Sequence, residues 1–558
     1  MRSASSMYLV WLALLIVVGL FVAYPAITLV WNSLLVDGQF SLYNFERVFT
    51  RNENFTALIN SLSVSLWATL GGVLIGVSLA WVVTRTDVPG RGFFRTILIV
   101  PYLIPPFIGA IAWIYLLGPV GYVNEFWMWL TGSWDPLVRL YGKWGVVFVM
   151  ILYGYPIPYI VTVGPFSRMD ASLEEAAQMS GASPWRTMRD ITLPLMMPSI
   201  FSGAVLLFMF LLGNFGIPAV IGFPDRFYVL TTRIYLTVLN FDLEANLQLA
   251  AALSMLLVGV AILTMQAQRL LLRRGSYTVI AGKHTTPQLV RLRRWRWPVF
   301  AALLVFVCLT TFAPILAIVA TSLTRAYGIP LGAGNFTWDN YASLFQLPAV
   351  HRAIRNSLFL AAATGTVVAL LGTILAYLNV KARARGAGVL EALVAIPYAV
   401  PGTVVALSMI LAFLKPLPIV DWALYNTIWL LLVAYVARFL VLGVRTVGSN
   451  LHQIDDTLEE VARMSGASPW RSFADVVWPL IRPGLVAAWF LAAIPSLTEL
   501  TLSALLWAVG NETIGVLVYS LHEEGKMLLT AALSVVLIIV VLVLNVTVRA
   551  VTRGKLGF

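Results

Sequence analysis

The stretch EEAAQMSGASPWR, residues 174–186, decides the fold because the chain contains it twice. Residues 459–471 read EEVARMSGASPWR, and only two of the thirteen positions differ. The two glycines, Gly181 and Gly466, lie 285 positions apart in a chain of 558 residues. A polar segment that recurs so closely in each half of an apolar chain indicates an internal duplication.

The duplication extends well beyond this stretch. The segment NSLSVSLWATLGG begins at Asn60 and NSLFLAAATGT begins at Asn356, while PYLIP at 101–105 recurs as PYAVP at 397–401. Both pairs are offset by 296 positions, so the second copy lacks eleven residues before Glu459. We expect the deletion in the loop that follows the third apolar run, because loops absorb length changes readily.

The composition identifies the solvent of this duplicated chain. Hydrophobic residues make up 60% of the sequence and charged residues only 11%, whereas soluble domains carry about 25% charged residues. Apolar runs of about 20 residues, long enough to cross a bilayer as helix, recur along the chain. We therefore predict an all-α integral membrane protein with about twelve transmembrane helices in two parallel six-helix repeats. The runs centre on 8–34, 60–84, 96–117, 144–165, 199–221, 248–270, 298–322, 357–380, 389–414, 424–447, 484–508 and 528–552.

This pattern divides the chain into a first six-helix half at 1–272, a basic linker at 273–297 and a second six-helix half at 298–558. The net charge is +12, and twelve crossings place the basic clusters at one membrane face. By the positive-inside rule that face is cytoplasmic, and so are both termini. Anionic headgroups explain the basic linker, and no other feature indicates nucleic-acid binding.

The repeated stretch predicts two short helices joined at a fixed angle. An amphipathic helix should end at Gly181 in the left-handed conformation. Ser183 should then cap a second helix that starts at Pro184 and ends before Pro194. Two near-identical copies favour docking of a twofold symmetric soluble partner, with helices resting on lipid as the alternative. The second copy supplies Gly466, Ser468, Pro469 and Pro479.

The same residues resemble a family signature, Glu-Ala-Ala, three residues, Gly, nine residues, Ile, one residue, Leu-Pro, found in permease subunits of ABC importers. The second copy departs from it at Val461, Val476 and Trp478. The resemblance implies the MetI-like type I importer fold in a bacterial inner (cytoplasmic) membrane. It also implies two ATPase subunits at the cytoplasmic face and a soluble substrate-binding protein at the outer face. The residues that it assigns to ATPase coupling are Glu175, Ala176, Ala177, Gly181, Pro194, Glu460, Ala462, Gly466 and Pro479.

Enzymatic motifs are missing from the sequence. It contains no G-x-x-x-x-G-K-[ST] phosphate loop, no H-E-x-x-H and no C-x-x-C. We expect no catalytic, metal or cofactor-binding residues in this chain, with ATP hydrolysed by partner subunits; His452 and His522 are expected in loops. An ion-gradient-driven secondary transporter is the alternative of another class, but it leaves the duplicated stretch unexplained.

Polar residues in apolar segments mark candidates for the translocation path. Asn214 corresponds to Glu499 at the offset of 285, and Ser496 and Thr498 are neighbours of the latter. They either line a polar path or form hydrogen bonds between helices. PYLIP and PYAVP are predicted to kink the third and ninth helices.

The substrate is suggested by resemblance alone. A single chain with both halves, and the segments at 214–235 and 499–521, look like the fused ferric-iron importer permeases. Fused permeases for thiamine, aminoethylphosphonate and hexose phosphate share this layout. We therefore expect ferric iron, with these other small solutes left open.

Overall fold

The computed structural model describes residues 11–36, 38–239, 243–273, 289–329, 332–381, 386–416, 421 and 423–551. Eleven helices in this part of the chain are long and apolar enough to cross a membrane, and a bent pair makes up a twelfth. Each predicted apolar run has a counterpart among them, so the prediction of an all-α protein with about twelve membrane helices is confirmed. The spans are Trp11–Ser33, Asn52–Arg85, Pro106–Thr131, Lys143–Arg168, Trp185–Leu212, Asn246–Leu270, Arg293–Ser322, Pro348–Val380, the pair Ala387–Ala399 and Gly402–Phe413, Ile428–Leu451, Phe473–Leu497 and Met527–Val548. We number them first to twelfth in this order.

Shorter elements connect the spans. Leu35–Val36 and Gln39–Phe40 form a two-stranded antiparallel ribbon. The helices outside the spans are Tyr43–Thr50, Arg91–Ile97, Val100–Leu103, Ala171–Met179, Gly216–Gly222, Phe223–Asp225, Leu230–Leu239, Ala333–Asn335, Asp339–Gln346, Asp456–Met464, Ser503–Leu506 and Ile514–Glu523.

The third, fifth and eleventh spans differ from their predicted bounds, and the third covers Pro106–Thr131 rather than 96–117. The fifth begins at Trp185 and ends at Leu212 rather than covering 199–221. The second short helix was predicted to end before Pro194. Instead, a π-helical turn, Met188–Thr192, joins helix Pro184–Thr187 to helix Leu193–Leu212 without a break. Proline lacks a backbone donor, and π-turns are a recurrent place where a helix absorbs such a defect. The eleventh span has the same turn, Phe473–Val477, before Pro479.

Both proline motifs interrupt helices rather than bending them gently. In the second repeat, Ala387–Ala399 and Gly402–Phe413 meet at 111° across PYAVP. In the first repeat, helix Val100–Leu103 stops within PYLIP and the third span begins afresh at Pro106. The predicted kinks are therefore helix breaks, which leave backbone carbonyls that other groups must satisfy.

The chain forms two compact units, which do not coincide with the sequence repeats. One unit comprises 1–54, 233–256 and 338–557, and the other comprises 55–232 and 257–337 within the described residues. In the former, Phe21 and Tyr24 of the first span each lie 6.1 Å from Phe413 of the ninth, measured between ring centroids. In the latter, Leu303 and Val307 of the seventh span are buried in the same cluster as Tyr155 of the fourth span.

Each unit thus contains the opening span of the other repeat. The halves at 1–272 and 298–558 describe the sequence repeat and remain a prediction. Residues 274–288 of the predicted linker lie outside the described part of the chain.

The repeated Asn-Ser pair forms equivalent side-chain hydrogen bonds to the backbone in both units. The Asn60 side chain donates to the Tyr228 carbonyl over 2.9 Å, and the Ser61 hydroxyl accepts from the Leu230 amide over 2.6 Å. In the second copy, Asn356 donates to the Gly510 and Glu512 carbonyls, each over 3.1 Å, and Ser357 accepts from Ile514 over 2.8 Å. These bonds connect the second span to the start of helix Leu230–Leu239 and the eighth span to the start of helix Ile514–Glu523.

Histidine placement corrects one expectation. His452 directly follows the tenth span, as expected of a loop residue. His522 instead lies within helix Ile514–Glu523 and is buried. The apolar positions around it in the sequence, such as Leu521 and Tyr519, are those of a packed helix face.

Candidate functional site

The repeated stretch builds the same helix and turn in each unit. We call Ala171–Met179 the first loop helix and Asp456–Met464 the second loop helix. Asp170 caps the first by accepting from the Ser172 amide over 2.9 Å, and Asp455 caps the second in the same way over 3.0 Å. Aspartate is favoured here because its carboxylate satisfies an amide that the helix leaves unpaired.

Both loop helices end in a Schellman motif. Gly181 has φ +86° and Gly466 has φ +88°, which confirms the predicted left-handed conformation. The Ala182 amide donates to the Ala177 carbonyl, and Ala467 donates to Ala462, each over 3.0 Å. A side chain at either glycine would strain this turn, so the sharp exit from the loop helix depends on glycine.

Serine caps the next helix, as predicted. The Ser183 hydroxyl accepts from the Arg186 amide over 3.3 Å, and the Ser468 hydroxyl accepts from Arg471 over 3.2 Å. Since that next helix continues into the fifth or eleventh span, each loop helix is joined by one rigid turn to a membrane helix.

Each loop helix exposes large apolar side chains. Met179 is 90% exposed and Met464, its counterpart, is 87% exposed. Leu173 and Leu458 are also exposed at matching positions. Exposed apolar clusters that recur in this way mark interaction surfaces, and methionine adapts well to a partner.

The inward face of the first loop helix is fixed by a buried ion pair. Glu174 pairs with the Arg85 guanidinium at the end of the second span, and Arg85 is 1% exposed. The other carboxylate oxygen of Glu174 accepts from the Thr192 hydroxyl over 2.6 Å. One carboxylate therefore connects the loop helix to both the second and the fifth spans.

The second loop helix uses different partners for the matching acid. Glu459 accepts from the Tyr377 hydroxyl over 3.2 Å and from Arg463, on its own helix, over 3.3 Å. Lys381, the counterpart of Arg85, instead pairs with Asp456 and donates to the Ile454 carbonyl. Both repeats thus bury the first acid of the Glu-Glu pair. The basic partner is Arg85 of the second span in the first repeat and Arg463 of the loop helix itself in the second repeat.

The predicted coupling residues lie along these two helices and turns. Glu175, Ala177 and Ala462 are partly buried. Their assigned role stays a prediction, because position alone does not test it. The remaining ones, Ala176, Gly181, Pro194, Glu460, Gly466 and Pro479, are exposed.

The side chains of the predicted path residues Asn214 and Glu499 form the same type of local hydrogen bond. The Asn214 side chain accepts from the Ile217 amide over 3.0 Å, and Glu499 accepts from the Leu502 amide over 3.0 Å. Each therefore caps the turn that follows a span, three residues ahead of itself. Ser496 and Thr498 donate to carbonyls of their own helix. A role in a path stays a prediction.

Sequence reasoning missed three features of these sites. Glu174 and Glu459 were not chosen because their partners are distant in sequence. Met179 and Met464 were not chosen, although both stand in the repeated stretch. Arg438 was also missed, although a charge in the middle of the apolar run 424–447 is a signal that reveals such a residue.

Metal-binding groups are not clustered in the part of the chain that the structure describes. Within the described residues, no three His, Cys, Asp or Glu side chains lie close enough together to hold a metal ion.

Comparison with known proteins identifies one matching family and several similar transport proteins. The family of binding-protein-dependent transport system inner membrane components matches residues 72–277 and 368–554. The chain is 27% identical to the ferric transport system permease protein FbpB of Actinobacillus pleuropneumoniae, over 95% of this chain and 76% of that protein. It is 24% identical to the Fe(3+)-transport system permease protein FbpB 2 of Haemophilus influenzae, over 92% of this chain and 93% of that protein.

A solved structure of a bacterial ABC transporter involved in the import of the acidic polysaccharide alginate is similar to half of the chain. It has a TM-score of 0.37 and 21% identity, and the similarity covers 48% of this chain and 99% of that chain.

Proposed function

The chain belongs to the binding-protein-dependent transport system inner membrane components, and on this premise we propose that its two loop helices each dock an ATPase subunit of an ABC importer. The chain is a multi-pass permease of such an importer. The observation that carries the docking proposal is the matching pair of exposed methionines, Met179 and Met464. Two such surfaces suit two similar partners, each with a groove for a short helix.

The proposed orientation follows from charge. In each unit, a basic residue at the end of a span pairs with the loop helix, Arg85 with Glu174 and Lys381 with Asp456, and further basic residues follow both spans in the sequence. The end of each unit that carries its loop helix would face the cytoplasm, together with both termini. We assign ATP hydrolysis to the partner subunits and no bound cofactor to this chain. The substrate-binding protein would dock at the opposite end, where Trp134 and Val509 are 96% and 90% exposed.

Docking is tested with exposed apolar residues at the two ends of each unit. Met179→Lys and Met464→Lys place a charge on the proposed ATPase surfaces, while Trp134→Lys and Val509→Lys make the same change at the opposite end. We expect the methionine variants to reduce copurification of the ATPase at least tenfold. The control variants should retain it. Full ATPase recovery with both methionines replaced would contradict the proposal.

The proposed substrate is ferric iron. Support comes from the two relatives named as ferric transport permeases, which the chain matches over at least 90% of its own length. Thiamine, aminoethylphosphonate and hexose phosphate are the substrates of other importers with this layout, as noted above.

Transport in reconstituted vesicles separates these possibilities. The complete importer should accumulate radioactive iron when its binding protein is supplied outside and ATP inside. Uptake should continue in the presence of a protonophore and stop without ATP. The opposite dependence would favour an ion-gradient-driven transporter, and uptake of another solute but not iron would replace the substrate.

A further inference from the structure

Arg438 carries a charge to the middle of a membrane span. It lies ten residues after Ile428 and thirteen before Leu451, the ends of the tenth span. At about 1.5 Å per residue this places it roughly 15 Å from the nearer end, half of a hydrocarbon core of about 30 Å. A charged side chain at this depth is unfavourable by at least about 2.5 kcal/mol, and such residues usually face a protein interior or a water-filled cavity.

The contacts of Arg438 use only one edge of its guanidinium. Its Nη1 donates to the Val400 carbonyl over 3.2 Å and to the Pro397 carbonyl over 3.5 Å, at the break in the ninth span. Among the described residues, its Nε and Nη2 make no hydrogen bond and it forms no ion pair. The side chain is partly accessible. A second edge of a mid-membrane cation is therefore available to a ligand.

The first repeat shows that the helix break does not require a charge. There the Tyr155 hydroxyl donates to the Leu98 carbonyl over 2.9 Å, and the Tyr159 hydroxyl donates to the Arg95 carbonyl over 3.1 Å. Both bonds are made by neutral side chains and lie at the end of helix Arg91–Ile97, ahead of the break within PYLIP. The residue that matches Arg438 at the offset of 285 is Tyr153. Structural support of the break alone does not explain the arginine.

The residues near Arg438 in the ninth span and after the eleventh also differ from their counterparts in the first repeat. A Cβ atom on Gly402 would lie 3.3 Å from Arg438 Nη1 and 2.9 Å from the Thr501 methyl group, so the absence of a side chain at Gly402 keeps the space beside the guanidinium open. The hydroxyl of Thr403 is buried and has no hydrogen-bond partner among the described residues. The first repeat carries Pro106, Phe107 and Gly216 at the positions of Gly402, Thr403 and Thr501.

Among the described residues, the carboxylate of Glu499 does not neutralise the guanidinium of Arg438. Glu499 accepts from the Leu502 amide, and its own carbonyl accepts from the Ser503 hydroxyl over 3.1 Å. Within the described residues it forms no ion pair with Arg438. An unneutralised guanidinium with N–H groups still free to donate is suited to bind carboxylate or phosphate oxygens.

We propose that Arg438 forms an oxyanion-binding site inside the membrane, for a carboxylate or phosphate group of the transported species. This deepens the proposed function and rests on it, because a permease must offer its substrate a favourable site within the bilayer. A bare ferric ion would be repelled by the guanidinium. Iron would therefore pass this site with an oxyanion ligand that the guanidinium can hold.

Binding to the purified full-length chain in lipid nanodiscs tests the site directly. The probes are inorganic phosphate, citrate and ferric citrate, measured by equilibrium dialysis of radioactive ligand. Hydrogen bonds to a charged group contribute about 1.5–3 kcal/mol, so Arg438→Gln should weaken binding roughly 10- to 150-fold. Arg438→Lys keeps the charge and should retain part of the affinity. Arg445→Gln removes an exposed arginine from the same helix and should bind as the unaltered chain does.

A second variant guards against misfolding. Arg438→Lys keeps a cation that can donate to the Val400 carbonyl, so its thermal transition should stay unchanged while the planar guanidinium is lost and binding weakens severalfold. The proposal is overturned if the unaltered chain binds none of the probes. It is also overturned if Arg438→Gln binds them equally well, or if Arg445→Gln loses binding to the same extent.

Iron uptake by the reconstituted importer separates the two proposals. Oxyanion binding that depends on Arg438 without any iron uptake would support the site and remove iron as the substrate. Iron uptake that is unaffected by Arg438→Gln, together with an absence of probe binding, would remove the site and leave the substrate proposal standing. Phosphate binding in preference to citrate would identify the group as a phosphate, and the reverse would identify a carboxylate.

Discussion

Replacing Glu174 with glutamine should release the first loop helix from the membrane spans. The Arg85 guanidinium is 1% exposed, and its Nε and Nη1 have no hydrogen-bond partner among the described residues. Loss of the carboxylate would leave this charge buried and uncompensated, which destabilises by about 3–5 kcal/mol. The loop helix has only nine residues, and helices of that length are marginal by themselves. We therefore expect Ala171–Met179 to open locally while the bundle stays folded.

Amide hydrogen exchange on the purified full-length chain measures this opening. A loss of 3–5 kcal/mol corresponds to roughly 100- to 4,000-fold faster exchange, up to the rate of an unprotected segment. Glu175→Gln is the matched control, because it removes the same charge one residue later and Glu175 has no ion-pair partner among the described residues. Its effect on exchange should stay below about threefold, as for surface substitutions in general.

A double replacement completes the test. Arg85→Met with Glu174→Met removes both charges, and apolar replacement of a buried pair is often neutral or stabilising. Exchange in the loop helix should then return towards that of the unaltered chain. Equal exchange in the Glu174→Gln and Glu175→Gln variants would refute the reasoning. A double variant that exchanges as fast as Glu174→Gln would do the same.

Three further outcomes are expected. Asn356→Leu leaves the Gly510 and Glu512 carbonyls without their donor, so it should destabilise the chain by about 1–3 kcal/mol in thermal unfolding. Gly402→Ala places a Cβ atom 2.9 Å from Thr501 and should lower stability by about 1–3 kcal/mol, whereas Gly388→Ala meets nothing within 4 Å and should not. Burial lowers the pKa of His522 to about 4 from 6.5, so the unfolded chain binds a proton between these pH values that the folded chain does not. Its contribution should be constant above pH 6.5 and should cost about 3 kcal/mol of stability by pH 4, a loss that unfolding curves of His522→Gln should lack.

Local chemistry made much of the loop helices predictable. The left-handed glycine Gly181 and the serine cap Ser183 depend on neighbours within three residues, so a sequence contains the information for them. The apolar runs likewise located every span, because the bilayer requires about 20 apolar residues of each. The end of the fifth span was misplaced because the buried helix Gly216–Gly222 prolongs the apolar run beyond Leu212.

Long-range pairing could not be predicted in this way. Glu174 and Arg85 are 89 positions apart, and nothing in either segment specifies the other. The π-helical turn Met188–Thr192 depends on how a proline is absorbed within a packed bundle, which hydrophobic periodicity does not describe. Arg438 was visible as an isolated charge, but its contact with the broken ninth span required the structure.

The exchange of opening spans between the units constrains how the chain is made. Tyr24 is translated early, and 389 positions separate it from Phe413, against which its ring packs. At about 5–20 residues per second, the ribosome needs roughly 20–80 s to produce that distant segment. The nascent first helix must therefore wait in lipid without its final neighbour, and the unit that contains it can be completed only after most of the chain has been synthesised.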